Sequence, residues 1–293
     1  MRWAIVVNPY SGKKKGLALA HEIKREAAER GIESIWICGS SAAESHDLLV
    51  DAVADFNLTG VVVVGGDGLV NLAIQVLALS KIPMAVLAAG TGNDFARANG
   101  TANFSPKQLV ERMITTVPVE VDLGSATVGG TTSWFGQVMS TGFDSEVNER
   151  ANRFTTIKGQ IKYDLAILLE LPKFSPKSYR IVADERELTV KAMLVAIANG
   201  PTYGGGMKVC PNANRSDGMF DVLLLHPIPK WEFIKVFPKV FKGTHVSHPK
   251  VEIFRCRTIS IEAEAVAYAD GERYGNLPLK ATTHPQSLLT WVA

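Results

Sequence analysis

The 293-residue chain is poor in cysteine, has no long apolar run and carries almost no net charge, and each shortage removes a class of protein. Cys38, Cys210 and Cys256 are odd in number, far apart and form no C-x-x-C pair. That excludes a disulfide framework or a cysteine zinc site and suits a reducing compartment. No apolar stretch reaches the roughly 18 residues that a spanning helix needs. Met1-Arg2-Trp3 enters a strand-like run with no basic and apolar leader before it. The expected location is therefore cytoplasmic, with any membrane contact peripheral. A formal charge of +2 does not suit a dedicated nucleic-acid binder, which is far more basic. Also missing are the G-x-x-x-x-G-K-[ST] loop, the protein-kinase set, the G-x-S-x-G elbow and the H-E-x-x-H pair. A nucleotide user of this sequence needs another phosphate cradle.

What the chain does have is three glycine-rich corners, each after a short apolar run. Trp3 to Val7 leads into Asn8-Pro9-Tyr10-Ser11-Gly12, Val61 to Val64 into Gly65-Gly66-Asp67-Gly68, and Pro83 to Ala89 into Gly90-Thr91-Gly92-Asn93-Asp94. Runs this short read as buried strands. A glycine turn after such a strand lets bare N–H groups approach an anion, because no Cβ intervenes. If the strands are parallel neighbours, the corners share the sheet edge at which open α/β folds bind ligands. Three of them point to a polyphosphate, most simply a nucleotide.

Helical patterns over 17–30, 42–55 and 69–79 alternate with strands at 3–7, 35–37, 61–64 and 84–88, which predicts a parallel sheet flanked by helices. After about residue 117 the texture turns strand-rich: 117–122, 132–139, 178–183, 188–198, 219–225 and 251–263, with helices near 159–170 and 229–242. The expected organisation is an α/β domain over 1–120 and a β-sandwich domain over 121–284. The run at 288–292 offers a return of residues 285–293 to the first domain, with no partner strand deducible.

Several constellations carry chemistry beside a plainer reading. Asn8 to Gly12, with Lys13, Lys14 and Lys15, offers a hydroxyl, backbone donors and cations at a helix start, which suits phosphate; alone it is equally an ordinary turn with solvated lysines. Asp67 sits between glycines just past a strand, where a carboxylate suits Mg²⁺ beside phosphates; the alternative is a hairpin-type turn, although a helix follows. Asp94 opens another helix, where it equally stabilises the dipole. Gly204-Gly205-Gly206 weakens a sheet unless something approaches the backbone. Asp217 makes either a small metal loop or an Asp-Gly turn. Asp270-Gly271-Glu272 places two carboxylates at a tight turn, one able to take a proton from an attacking hydroxyl, yet by itself it reads as a hairpin turn. His245 and His248 lack a third ligand. Trp231, Phe233, Ile234, Phe237, Val240 and Phe241 interleave with Lys235, Lys239 and Lys242 as in an interfacial helix. Packing on its own domain is the commoner fate of such a segment, and Pro238 disturbs it.

Taken in order, these blocks resemble the diacylglycerol kinase catalytic family in its soluble bacterial form, which groups with sphingosine and ceramide kinases. The resemblance covers essentially the whole chain and extends to Val121-Asp122-Leu123-Gly124 and Gly142-Phe143-Asp144. It implies a Rossmann-like α/β domain, similar to NAD kinases and phosphofructokinases, joined to a C-terminal β-sandwich. It further implies ATP and Mg²⁺ as cofactors and phosphoryl transfer to the primary hydroxyl of diacylglycerol, giving phosphatidic acid, at the inner face of the membrane. By resemblance, Asn8, Pro9, Tyr10, Ser11, Gly12, Gly66, Asp67, Gly68, Leu69, Val70, Asn71, Thr91 and Asn93 surround the nucleotide, with a hydroxyl from Ser40 or Ser41. Asp67, Asn93, Asp94 and Asp122 would organise catalytic Mg²⁺, and Asn214, Asp217 and Met219 a structural Mg²⁺. Glu272 would be the general base with Asp270 beside it. Nucleic acid is not an expected partner, and a homodimer is compatible with the chain.

Two positions depart from the family pattern. Leu69 stands where threonine is usual and Leu72 where glutamate is common, which removes a hydroxyl and a carboxylate from the nucleotide side. Losing one hydrogen bond to a charged group costs about 1.5–3 kcal/mol, enough to weaken ATP binding while backbone donors survive. The acceptor could instead be another lipid alcohol such as a sphingoid base, and a nucleotide- or lipid-binding regulator with weakened activity is a further alternative.

Overall fold

The computed structural model describes residues 1–9, 11, 15–154 and 160–293. The expectations for Tyr10, Gly12, Lys13 and Lys14 concern residues outside that set. The chain forms two compact units, Met1–Leu123 with Pro285–Ala293, and Gly124–His284.

The first unit runs β1 (Arg2–Val7), α1 (Lys15–Ala28), β2 (Glu33–Ile37), α2 (Ala42–Asp55), β3 (Gly60–Gly65), α3 (Asp67–Leu77), β4 (Met84–Ala88), α4 (Asp94–Ala98) and α5 (Pro106–Thr115). Its four strands are parallel, in the order β2-β1-β3-β4. β1 and β3 are apolar almost throughout because helices cover both sheet faces. Trp3, Ile5, Val7, Val62 and Val64 pack on Ala20, Ile23 and Ala27 of α1 and Leu109, Val110 and Met113 of α5. α2 and α3 lie against β1 and β3 as well, on the face left to Ala4, Val6, Val61 and Val63. α5 starts at a capping box in which Ser105 and Gln108 satisfy each other's amides, with Pro106 in the first turn.

The chain continues through β5 (Val119–Val128), β6 (Thr131–Phe135), β7 (Val138–Gly142), α6 (Phe143–Asn152), α7 (Gln160–Glu170), β8 (Lys177–Ala183), β9 (Arg186–Ala192), β10 (Leu194–Ala198) and β11 (Phe220–Leu225). It ends with α8 (Lys230–Val236), a 3₁₀ segment (Phe237–Lys242), β12 (Val251–Cys256), β13 (Thr258–Glu262), β14 (Val266–Ala269), β15 (Glu272–Asn276) and β16 (Leu279–Thr290). In the second unit one antiparallel sheet has the order β12-β11-β10-β7-β14-β15. The other is built from β16, β13, β8 and β9, with β5 beside β16 and β6 beside β5. The shared core between them contains Phe135, Met139, Tyr179, Ile181, Val195, Phe220, Val222, Ile259 and Ala281. The result is a β-sandwich, and α6, α7 and α8 add a helical layer on the outer face of the six-stranded sheet.

Three runs that read as single strands are each two. The 132–139 run breaks at Gly136-Gln137, the 188–198 run at Met193 and the 251–263 run at Arg257. At each break the chain passes from one sheet to the other, the corner device of packed sheets. The freed backbone groups find partners: Met193 N–H donates to the Leu225 carbonyl, and Arg257 N–H to the Asp184 carboxylate. The helix expected over 229–242 narrows to 3₁₀ at Phe237 because Pro238 has no N–H to continue the α ladder. β16 ends in the first unit, where Thr290 pairs in parallel with Met84. Among the described residues no helix is long and apolar enough to cross a membrane.

Candidate active site

In the first unit the strand order reverses between β1 and β3, the topological switch point at which open parallel sheets bind ligands. Val7 lies opposite Val64, and Gly65 opposite Ala88, so the three corners emerge side by side. Asn8 N–H donates to the Val64 carbonyl (3.4 Å) and Ala89 N–H to that of Gly65 (2.9 Å). A Cβ at Gly90 would stand 2.5 Å from Gly66 Cα, and one at Gly92 2.3 Å from Asp67 Oδ2, so only glycine allows the second and third corners to close together.

Asp67 locks that closure. Its two carboxylate oxygens accept the N–H groups of Asn93 and Asp94, both at 2.8 Å. Burial raises its pKa, the neighbouring Asp94 carboxylate adds to the rise, and the amides oppose it. Asn93 takes the left-handed conformation (φ 56°), accepts from Gly90 N–H and donates back to the Gly90 carbonyl, each at 2.9 Å. Asp94 is buried, with Arg97 Nε 3.9 Å away. The α3 amides at Asp67 and Gly68 sit where a helix has no internal acceptors, and α1 opens beside Asn8, whose carbonyl abuts Gly16. These are donors suited to an anion.

Several other residues expected around a nucleotide also make bonds within the loops. Leu69 and Val70 N–H both donate to the Gly66 carbonyl at 3.1 Å, Val70 is buried, and Leu69 folds over Gly65. Asn71 is buried and accepts from Gln75. Ser41 caps α2 by accepting Glu44 N–H (3.1 Å), while Ser40 donates to the Glu44 carboxylate. Pro9 and Ser11 lie half-buried in the first corner, and Thr91 is exposed at the third. Asp122 is buried and accepts Gln286 N–H at 2.9 Å, satisfying a backbone group of β16. Among the described residues no group of three or more acidic, histidine or cysteine side chains could hold a metal ion. Asp67 and Asp94 are a pair, and such a pair fits Mg²⁺ only when phosphate oxygens and water complete the shell.

In the second unit, Asp270-Gly271 forms a two-residue hairpin between β14 and β15 with positive φ at both positions (51° and 90°). The Asp270 carboxylate is held by backbone groups. It accepts the N–H groups of Gly136, Gln137 and Val138 at 2.6, 3.0 and 3.2 Å. That nest of amides exists because the chain changes sheets there, and it fixes the Asp270 carboxylate at the turn. Glu272 is left exposed on the first residue of β15. Its neighbour Arg273 donates to Glu149 of α6 (2.7 Å), which also accepts from Tyr268 (2.8 Å).

In the loop expected to hold a structural cation, two of the expected residues also bond within the protein. Asn214 accepts Ser216 N–H and Asp217 accepts Met219 N–H, each at 3.1 Å, while the second Asp217 oxygen binds Arg255. Arg255 also lies 3.9 Å from Asp221. A guanidinium thus lies against the Asp217 carboxylate.

An apolar cavity of about 60 Å³ opens under α8, lined by Phe143, Leu194, Met207, Leu223, Phe233, Val236 and Val240. Asp144, Tyr203 and His245 are its polar members. Both Asp144 carboxylate oxygens are buried with no partner of ordinary hydrogen-bond geometry. Burial pushes the Asp144 pKa up to about 6, moderated by Ser140, the Ser145 amide and Tyr203. The glycine loop borders this cavity: Gly204, Gly205 and Gly206 all have positive φ between bridged Tyr203 and Met207. Asp144 carried no assigned role in the sequence. Its signal was a carboxylate at the first turn of a helix entered straight from a buried strand.

Family models match both units: a diacylglycerol kinase catalytic domain over residues 2–126 and a YegS C-terminal NAD kinase beta sandwich-like domain over 137–292. The chain belongs to the diacylglycerol kinase family, a family of phosphotransferases. It is similar to a diacylglycerol kinase of Mycobacterium tuberculosis, at 37% identity over 286 residues, covering 97% of this chain and 92% of the relative. A diacylglycerol kinase of Bacillus subtilis is 28% identical over 94% of this chain and 91% of its own. A solved structure from Bacillus anthracis shares the fold with a TM-score of 0.81 at 20% identity, covering 100% of this chain and 95% of that one.

Proposed function

We propose that the protein transfers the γ-phosphoryl group of ATP to the primary hydroxyl of diacylglycerol, giving phosphatidic acid. The observation that carries the acceptor is the apolar cavity with a single carboxyl group in its wall, a shape for a molecule with a long apolar body and a small polar head. The relatives named as diacylglycerol kinases support the same acceptor. At about 60 Å³ the cavity is smaller than the roughly 150 Å³ that admits benzene, so α8 or its 3₁₀ extension must shift for an acyl chain to enter.

The reaction needs positioning and charge stabilisation more than covalent chemistry. Amides at the corners and the starts of α1 and α3 hold the phosphates. The acceptor oxygen bonds to the γ-phosphorus as the bond to the β–γ bridging oxygen breaks, ADP leaves, and the hydroxyl proton passes to Glu272. Mg²⁺, when bound, offsets charge on the phosphates, and Asp67 and Asp94 are the carboxylates that would hold it. Asp270 fixes the turn that presents Glu272, and Asp144 orients the polar head of the acceptor.

A sphingoid base is the second reading, because an ionised Asp144 would pair with its ammonium group. Purified protein incubated with γ-labelled ATP, with and without Mg²⁺, against diacylglycerol, monoacylglycerol and a sphingoid base separates the two. Label on diacylglycerol is expected. Label on the amine alone, or on no lipid, overturns the proposal.

A further inference from the structure

Apolar side chains point both ways from α8 and the 3₁₀ segment after it. Phe233, Val236 and Val240 are buried against the cavity, yet Trp231 is 61%, Ile234 62% and Phe241 45% exposed. α7 repeats the pattern: Ala166 is buried while Ile161, Leu168 and Leu169 are exposed. The two elements are tied where Lys230 Nζ donates to the Pro172 carbonyl just past α7. Single exposed apolar residues are ordinary; six on two joined helical segments are not.

Around α8 and the segment after it the charge among the described residues is mainly basic. Lys230, Lys235, Lys239 and Lys242 are all exposed, and the one acid of this segment, Glu232, is paired with His248 at 3.0 Å. Lys235 Nζ stands 4.9 Å over the Trp231 ring, and Lys162 4.7 Å over Tyr163 of α7. Lysine stems that cover apolar surface while their ammonium heads reach outward, beside an exposed tryptophan, match the boundary between acyl chains and anionic headgroups. A second copy of this chain would face lysine with lysine across a two-fold axis.

We propose that this face, centred on Trp231, Ile234 and Phe241 with Lys235, Lys239 and Lys242, docks the second unit onto an anionic lipid bilayer. The proposal rests on the reading of a lipid acceptor. α8 is the wall between the cavity and the outside, so docking lays that wall on the membrane from which the acceptor comes. Binding needs neither ATP nor turnover, so it is measurable even if no lipid is phosphorylated.

The test is flotation of the full chain with phosphatidylcholine vesicles containing about 30% phosphatidylglycerol, where each lysine near the surface is worth about a 5-fold change in partitioning. The wild type should float. Lys235→Gln and Lys239→Gln should each lower partitioning by about that factor, and Trp231→Ala with Ile234→Ala by about 10-fold or more. Brominated lipid should quench wild-type fluorescence, and Trp231→Phe, which keeps an aromatic ring in place, should lose that quenching. Turnover on an acceptor dispersed as monomer should be unchanged in the Trp231→Ala/Ile234→Ala variant. Failure of the wild type to float, equal flotation of all variants, or a dimer in solution that Trp231→Ala dissolves would overturn the proposal.

Discussion

Replacing Asp144 by asparagine is the most exacting perturbation, because its sign runs against expectation for a site residue. The folded protein raises this pKa from 3.8 to about 6 through burial. The protonated form is therefore favoured by folding, and its stabilising contribution is complete below the unfolded value and lost as pH rises through the folded one. A displacement of about two pKa units at about 1.36 kcal/mol each makes ionised Asp144 cost about 3 kcal/mol near neutral pH. Asp144→Asn has the same shape without the charge. It should be more stable than the wild type by up to that amount near neutrality, and the gap should close as pH falls toward the unfolded value. Urea unfolding of both proteins across this range, following the second unit, measures the gap. His245 lines the same cavity and burial lowers its pKa, but it is present in both proteins and largely cancels in the difference. Turnover should fall as stability rises, since a charge kept at such a cost suggests use rather than structure. Parallel stability curves for the two proteins would refute the reasoning.

Glu272→Gln should remove most turnover while leaving the unfolding curve unchanged, because the side chain is exposed at the head of β15; near-normal kinetics would remove it as the base. Leu69→Thr should tighten ATP about 10-fold or more by restoring one hydrogen bond to a charged group, read by calorimetric titration; an unchanged Kd would place position 69 outside the cradle. A chelator should leave the wild-type Tm unaltered, whereas Arg255→Met should lower stability by about 1 kcal/mol, the modest value reflecting a half-exposed pair. A chelator-induced drop in Tm would return the 214–219 loop to a divalent ion.

The parallel half was legible because its signals are local. Val61 to Val64 and Ala85 to Leu87 are apolar without alternation, as strands covered on both faces must be, and glycines punctuate their ends. The sandwich was harder to divide. Arg186–Ala192 alternates and Leu194–Ala198 does not, yet nothing at Met193 marks the change of sheet, since its N–H is satisfied by Leu225 across the chain. The same distance hid the role of Asp270. Three amides from residues 136–138 hold its carboxylate, a contact spanning more than 130 positions that no motif encodes. The ion pair of Asp217 was hidden for a related reason: its partner, Arg255, lies 38 residues further on.

The return of residues 285–293 has a consequence for biogenesis. Trp291 fills the core beside Gly60, Thr290 completes the sheet at Met84, and Ala293 N–H reaches the Asn99 carbonyl. All of these leave the ribosome after the entire sandwich. The α/β half therefore waits, with its last strand missing, while some 160 intervening residues are translated. Expressing it alone by stopping at Leu123 should yield an aggregating fragment, and fusing residues 285–293 behind that stop through a flexible tether should rescue it.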